Sequence, residues 1–137
     1  MIVEGYAALF GVEDQMRDIV RAGAFAASLA RREAPLPMLL EHEPRLLDGY
    51  WQETYEDGRG LWLRGEIRSA LPGAARARRV LARGVDGLSI GFVPLVAHRA
   101  GGVRVLTEIE LLEVSIVAHP MQPLARLNFA REFIRAA

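Results

Sequence analysis

The chain has 137 residues, 51% of them hydrophobic, which is the size of one domain with a core of its own. Its 17 basic residues balance 17 acidic ones, so no global field points to nucleic acid. Without cysteine there are no disulfides or thiolate metal sites, no apolar run approaches the ~20 residues of a bilayer span, and no signal-peptide pattern opens the chain, so the sequence reads as soluble and cytoplasmic. Every basic residue is Arg, which GC-rich coding explains more simply than a need for planar, bidentate contacts. The absence of Lys removes it as a catalytic base.

Residues 1–10 (MIVEGYAALF) are β-prone and partly alternating, a first strand, and residues 11–23 read as a polar connection. AFAASLARRE (24–33) sets Phe25, Leu29 and Arg32 along the stripe of a short helix. PLPMLLEHEP (35–44) is an apolar run closed by Pro44, a strand ending near His42. LLDGYWQETYED and LWLRGEIR flank DGRG and make a hairpin. Residues 72–84 open with Pro and close with Gly, as a helix does. Its Arg76, Arg78, Arg79 and Arg83 read as a solvated face, with phosphate contact as the alternative. LSIGFVPLVAHR and VRVLTEIELLEVSIVA flank AGG in a second hairpin, and the tail after Asn128 has a helical pattern. Six or seven strands and two short helices in mostly antiparallel order predict a mainly β (α+β) fold, a small barrel or strongly bent sheet carrying helices.

Within DGLSIGF, residues 87–91 spell G-x-S-x-G, the string of the α/β-hydrolase elbow. That elbow needs a helix directly after the serine, whereas Ser89 leads into β-like sequence in a chain too short and too antiparallel for that fold. On a strand Leu88, Ile90 and Phe92 share one face, and Ser89 shares the other with Gly91, where the absent side chain permits a close approach. Ser89 is then either a nucleophile or a surface serine beside a bulge glycine.

A serine nucleophile needs a base, and the chain has three histidines. His98 lies at a hairpin turn and His119 before Pro120, while His42 shares parity with Leu36, Met38 and Leu40 and so sits at the rim of an apolar face, as a base or as a structural histidine. The three have no carboxylates at ligand spacing, and neither a metal nor a cofactor is expected. For the orienting acid, Glu108 and Glu110 read as solvent-side charges. Strict alternation puts Glu113 and Ser115 on the apolar face, unless the adjacent Leu111 and Leu112 mark a bulge that flips the register.

Six pieces carry a resemblance: EGYAALFG, RAGAFAASL, LLEHEP, RGLWLRGEI, GVDGLSIGF and LTEIELLEVSIVAHPMQPLARL. In this order, across residues 1–127, the chain resembles the prohead proteases of tailed bacteriophages, serine peptidases that mature the capsid shell. The resemblance implies a protease domain over 1–127, a C-terminal tail over 128–137, and an antiparallel β-barrel with surrounding helices like the herpesvirus assemblins. It places the catalytic histidine on His42, the nucleophile on Ser89 and the third member on Glu113. Beside the resemblance, Gly91 and, from its position after the triad strand, Arg126 are candidates for oxyanion or substrate support. The resemblance further implies cleavage of the scaffolding segment of the major capsid protein, and of the protease itself, inside the immature capsid in the host cytoplasm. A homodimer follows by analogy with the herpesvirus enzymes; no membrane or specific nucleic acid is implied. Ala22 where Pro is usual before GAF, and AHPMQP for the commoner TFPANP, depart from the family pattern without touching the triad. The lack of longer tails is the pattern of a truncated or processed form. A small serine esterase and a non-catalytic assembly module are the rival expectations.

Overall fold

The computed structural model describes residues 1–131. Alternation makes β1 (Ile2–Leu9) a strand, with Val3, Gly5 and Ala7 buried and Ile2, Glu4 and Tyr6 half-buried. Then follow β2 (Asp18–Val20), α1 (Ala26–Arg31), β3 (Leu36–Leu40), β4 (Glu43–Glu56), β5 (Gly60–Ile67), α2 (Ala74–Ala82), β6 (Gly87–Ala100), β7 (Val103–Val117) and β8 (Leu127–Arg131). The mainly β, mostly antiparallel expectation holds: all pairings are antiparallel except those of β2 and β3 with β7.

The sheet runs β2-β7-β3-β4-β5-β1-β8, with β6 on the other side of β7. It curls until its ends meet at a bridge between Gly87 and Arg126, flanked by hydrogen bonds from Leu88 N to Ala125 O (2.9 Å) and Leu127 N to Asp86 O (2.7 Å). Inside lie Phe25, Met38, Trp51, Leu63, Leu106 and Ile116, all fully buried. Trp51 also donates from Nε1 to Val114 O at 3.1 Å, pinning β4 beneath the far end of β7. Full burial of such a ring is worth several kcal/mol, and Trp→Ala in a core typically costs about 3–5 kcal/mol.

Three local expectations need correction. The polar connection contains β2, because β7 offers it an edge: Asp18, Ile19 and Val20 align in parallel with Arg104, Val105 and Leu106. Asp18 also takes the Arg104 guanidinium in two 2.8 Å hydrogen bonds. The strand expected to reach His42 ends at Leu40, and β4 begins at Glu43, before the Pro44 expected to close the run. The chain after Asn128 is not helical as far as Arg131, because β8 pairs with β1 there; the rest of the expected helix lies outside the described residues. The helix expected over 72–84 is α2, whose Ala74 and Ala77 are buried and whose Arg76 and Arg79 are exposed, as is Arg83 just past its end.

β7 carries the irregularity that matters most. Gly91 on β6 faces Glu113, but the next residue, Phe92, faces Leu111, leaving Leu112 unmatched in a bulge. Helix α1 satisfies its backbone. The buried Ser28 Oγ accepts from Leu111 N (2.9 Å), and Arg32 Nη2 donates to the carbonyls of Leu111 (3.0 Å) and Leu112 (3.3 Å). The bulge flips the inward parity from Ile109 and Leu111 to Val114 and Ile116, so the strict alternation is overturned. Glu113 and Ser115 therefore share a face with their cross-strand partners Gly91 and Ser89.

Candidate active site

The site grows from this block of four residues. Ser89 stands near the start of β6, opposite Ser115, and is buried against the sheet. It lines a cavity of about 220 Å³ whose walls include His42, Leu88, Ile90, Phe92 and Leu106. Among the described residues its Oγ makes no hydrogen bond with another residue.

His42 reaches the cavity from a two-residue turn, Glu41–His42, that joins β3 to β4 through the Leu40–Glu43 pair. Both residues have positive φ, 50° and 60°. The β6–β7 turn has positive φ at both its central residues too, 61° and 84°, but spends glycines on them, Gly101 and Gly102. A side chain in this region costs roughly 1–2 kcal/mol per residue, so the Glu41–His42 turn is held from outside. β7 does the holding: Ile116 O accepts from Glu41 N (3.0 Å), Glu41 Oε1 accepts from Ala118 N (2.7 Å), and Ser115 Oγ accepts from His42 N (3.0 Å).

Glu113 completes the cluster. Its Oε1 lies 2.5 Å from His42 Nδ1, and its Oε2 accepts from Ser115 Oγ at 2.7 Å. A carboxylate at that distance makes Nδ1 the proton-bearing nitrogen, which leaves Nε2 as the acceptor. The hydrogen bond to Glu113 raises the imidazole above its ordinary value. Partial burial opposes it, and the charges of Glu113 and Glu41 add to it. Gly91 makes room for the acid, because a β-carbon there would come within 2.8 Å of the Glu113 carboxyl carbon.

Of the residues marked in the sequence, His42, Ser89, Gly91 and Glu113 come together here. Arg126 does not line the cavity: its Nε donates to Pro123 O (2.8 Å) and its Nη1 to Asp86 (2.6 Å), beside the bridge that closes the sheet. His98 and His119 are exposed and stand outside the cavity. Glu110 pairs with Arg31. Ser115 is the site residue that sequence reasoning passed over. Its signal is the E-x-S spacing, which places two polar side chains on one face within the apolar stretch Leu111–Val117.

Two solved structures share the architecture. The fold matches the bacteriophage T4 capsid assembly protease, gp21, with a TM-score of 0.67 at 15% identity, over 87% of this chain and 82% of that one. It matches the KSHV protease, solved with a hexapeptide phosphonate inhibitor, with a TM-score of 0.67 at 16% identity, over 96% of this chain and 65% of that one. At these identities the likeness is one of fold. Across residues 1–136 the chain matches the model of the Caudovirus prohead serine protease family, and it belongs to that family. It is 37% identical over 93 residues to the prohead protease of Enterobacteria phage HK97, an alignment covering 66% of this chain and 41% of that protein. The chain thus spans less than half the length of that curated relative.

Proposed function

We propose that the chain is a serine endopeptidase of capsid maturation, acting through Ser89, His42 and Glu113. The observation that carries the reading is the 2.5 Å contact between His42 Nδ1 and Glu113, made by a histidine that lines one cavity with Ser89. A nucleophile, a base and an acid that orients the base are the three parts acyl transfer needs.

In this mechanism Ser89 Oγ attacks the peptide carbonyl carbon as its proton passes to His42 Nε2. Glu113 holds the Nδ1 proton and stabilises the imidazolium. When the tetrahedral species collapses, the C–N bond breaks and the leaving amine takes the proton from Nε2, leaving an acyl-enzyme on Ser89. Water, deprotonated by the same nitrogen, releases the acid and restores the serine. Ser89 and His42 line the same cavity, and their hydrogen bond forms when substrate fills it, as catalytic hydrogen bonds commonly tighten only in the substrate complex. The substrates are the scaffolding segment of the major capsid protein and the protease itself, cut inside the immature shell in the host cell. A homodimer is part of the same reading.

A serine-directed fluorophosphonate tests the nucleophile without knowledge of the cleavage site. Wild type is labelled at Ser89 alone, and His42→Ala and Glu113→Gln are labelled more slowly. Labelling elsewhere, or none, removes the peptidase reading. Loss of the serine or histidine of a triad typically lowers kcat by about 10⁴–10⁶, so the contrast is wide.

A further inference from the structure

Ser115 sits at a crossing that the acyl-transfer chemistry does not require, yet it is fully buried and touches both His42 and Glu113. Its Oγ accepts from the His42 backbone N–H at 3.0 Å and donates to Glu113 Oε2 at 2.7 Å, while Glu113 Oε1 meets His42 Nδ1 at 2.5 Å. The three contacts close a ring: His42 main chain, Ser115 hydroxyl, Glu113 carboxylate, His42 imidazole. We propose that Ser115 is a positioning residue that fixes the left-handed His42 turn and the Glu113 carboxylate in one mutual geometry.

Each half of the ring has its own reason. The turn carries two side chains at positive φ without a glycine, so its backbone needs an external partner, and the hydroxyl is the side-chain group that receives the His42 N–H. The carboxylate has two oxygens and must present one to the imidazole. A hydroxyl donor on the other oxygen removes the freedom to rotate away. Because Ser115 is the cross-strand partner of Ser89, the device lies directly across the ladder from the serine it serves. The charged groups that bear on the imidazole are Glu113 and Glu41.

The consequence for catalysis rests on the peptidase reading, but the geometry does not, so the experiment reads them separately. In wild type the His42 amide, though in a half-exposed turn, exchanges its hydrogen slowly; exchange at the rate of an open turn overturns the proposal without any variant. In Ser115→Ala that protection is lost. The His42 imidazole midpoint, followed by NMR, drops toward the ordinary histidine value of about 6.5. Ser115→Thr keeps the hydroxyl and holds the wild-type midpoint; a Thr variant that behaves like Ala places the effect in packing and overturns the proposal. Fluorophosphonate labelling of Ser89 slows by about ten- to a hundredfold in Ser115→Ala, in the inactivation step and not in probe binding. An unlabelled wild type ends the peptidase reading, while amide exchange and titration still decide the role of Ser115.

Discussion

Glu113 lies across the empty face of Gly91. A β-carbon on Gly91 would meet the Glu113 carboxyl carbon at 2.8 Å and Cγ at 3.0 Å, both inside normal van der Waals distance. The colliding atoms end a flexible side chain, so the fold can yield by swinging the carboxylate aside, off His42 Nδ1. Gly91→Ala should therefore leave the thermal midpoint nearly unchanged while slowing serine labelling by about ten- to a hundredfold. Equal labelling rates in the two proteins would show that the acid does not depend on this gap. The glycine of the S-x-G string thus serves the acid, where its sequence reading was close approach and oxyanion support.

Activity should follow the neutral form of His42. Its hydrogen bond to Glu113 holds the imidazole above the ordinary value of about 6.5, so the base is still protonated at a pH where a free histidine is not. The rate should rise with pH through a midpoint above that value, and Glu113→Gln should lower both the midpoint and the rate. A wild-type rate in Glu113→Gln would place the third member elsewhere.

Asp48 should make stability fall as pH rises. It is fully buried on β4, neither carboxylate oxygen is hydrogen-bonded among the described residues, and burial pushes it up to about 7. In the unfolded chain it ionises near the ordinary value of about 3.9, so between the two values the folded chain holds a proton that the unfolded chain has lost. At about 1.4 kcal/mol per pH unit, the loss between about pH 4 and pH 7 is on the order of 4 kcal/mol. Urea midpoints measured near pH 5 and near pH 8 should show this slope in wild type and lose it in Asp48→Asn. A flat wild-type profile would contradict it.

The bulge should depend on Ser28. Removing its hydroxyl orphans the buried Leu111 N–H, so Ser28→Ala should cost about 1–3 kcal/mol in denaturant unfolding. Because the same bulge sets the face of Glu113, the variant should also label more slowly at Ser89, and a loss of stability alone would separate the bulge from the site.

Where the fold was legible, side-chain pattern and turn chemistry agreed. Alternation marked β1, the DGRG and AGG turns marked both hairpins, and the adjacent leucines 111 and 112 raised the possibility of the bulge that decides where Glu113 points. What stayed hidden depends on partners distant in sequence. β2 is three residues long and exists through the edge of β7, and β8 reads as helical until β1 pairs with it. The His42 turn carries no Gly, Asn or Asp to betray its positive φ, because β7 imposes that conformation. Asp48-Gly49 has the letters of a turn and lies inside a strand, where the aspartate is buried.

Cleavage of the cognate major capsid protein tests the central claim most directly. On co-expression, the account predicts that wild type shortens the capsid protein and that Ser89→Ala, equally folded, leaves it full length. Full-length capsid protein with both would contradict the peptidase assignment and leave the fold to a binding role, and shortening by both would remove Ser89 as the nucleophile.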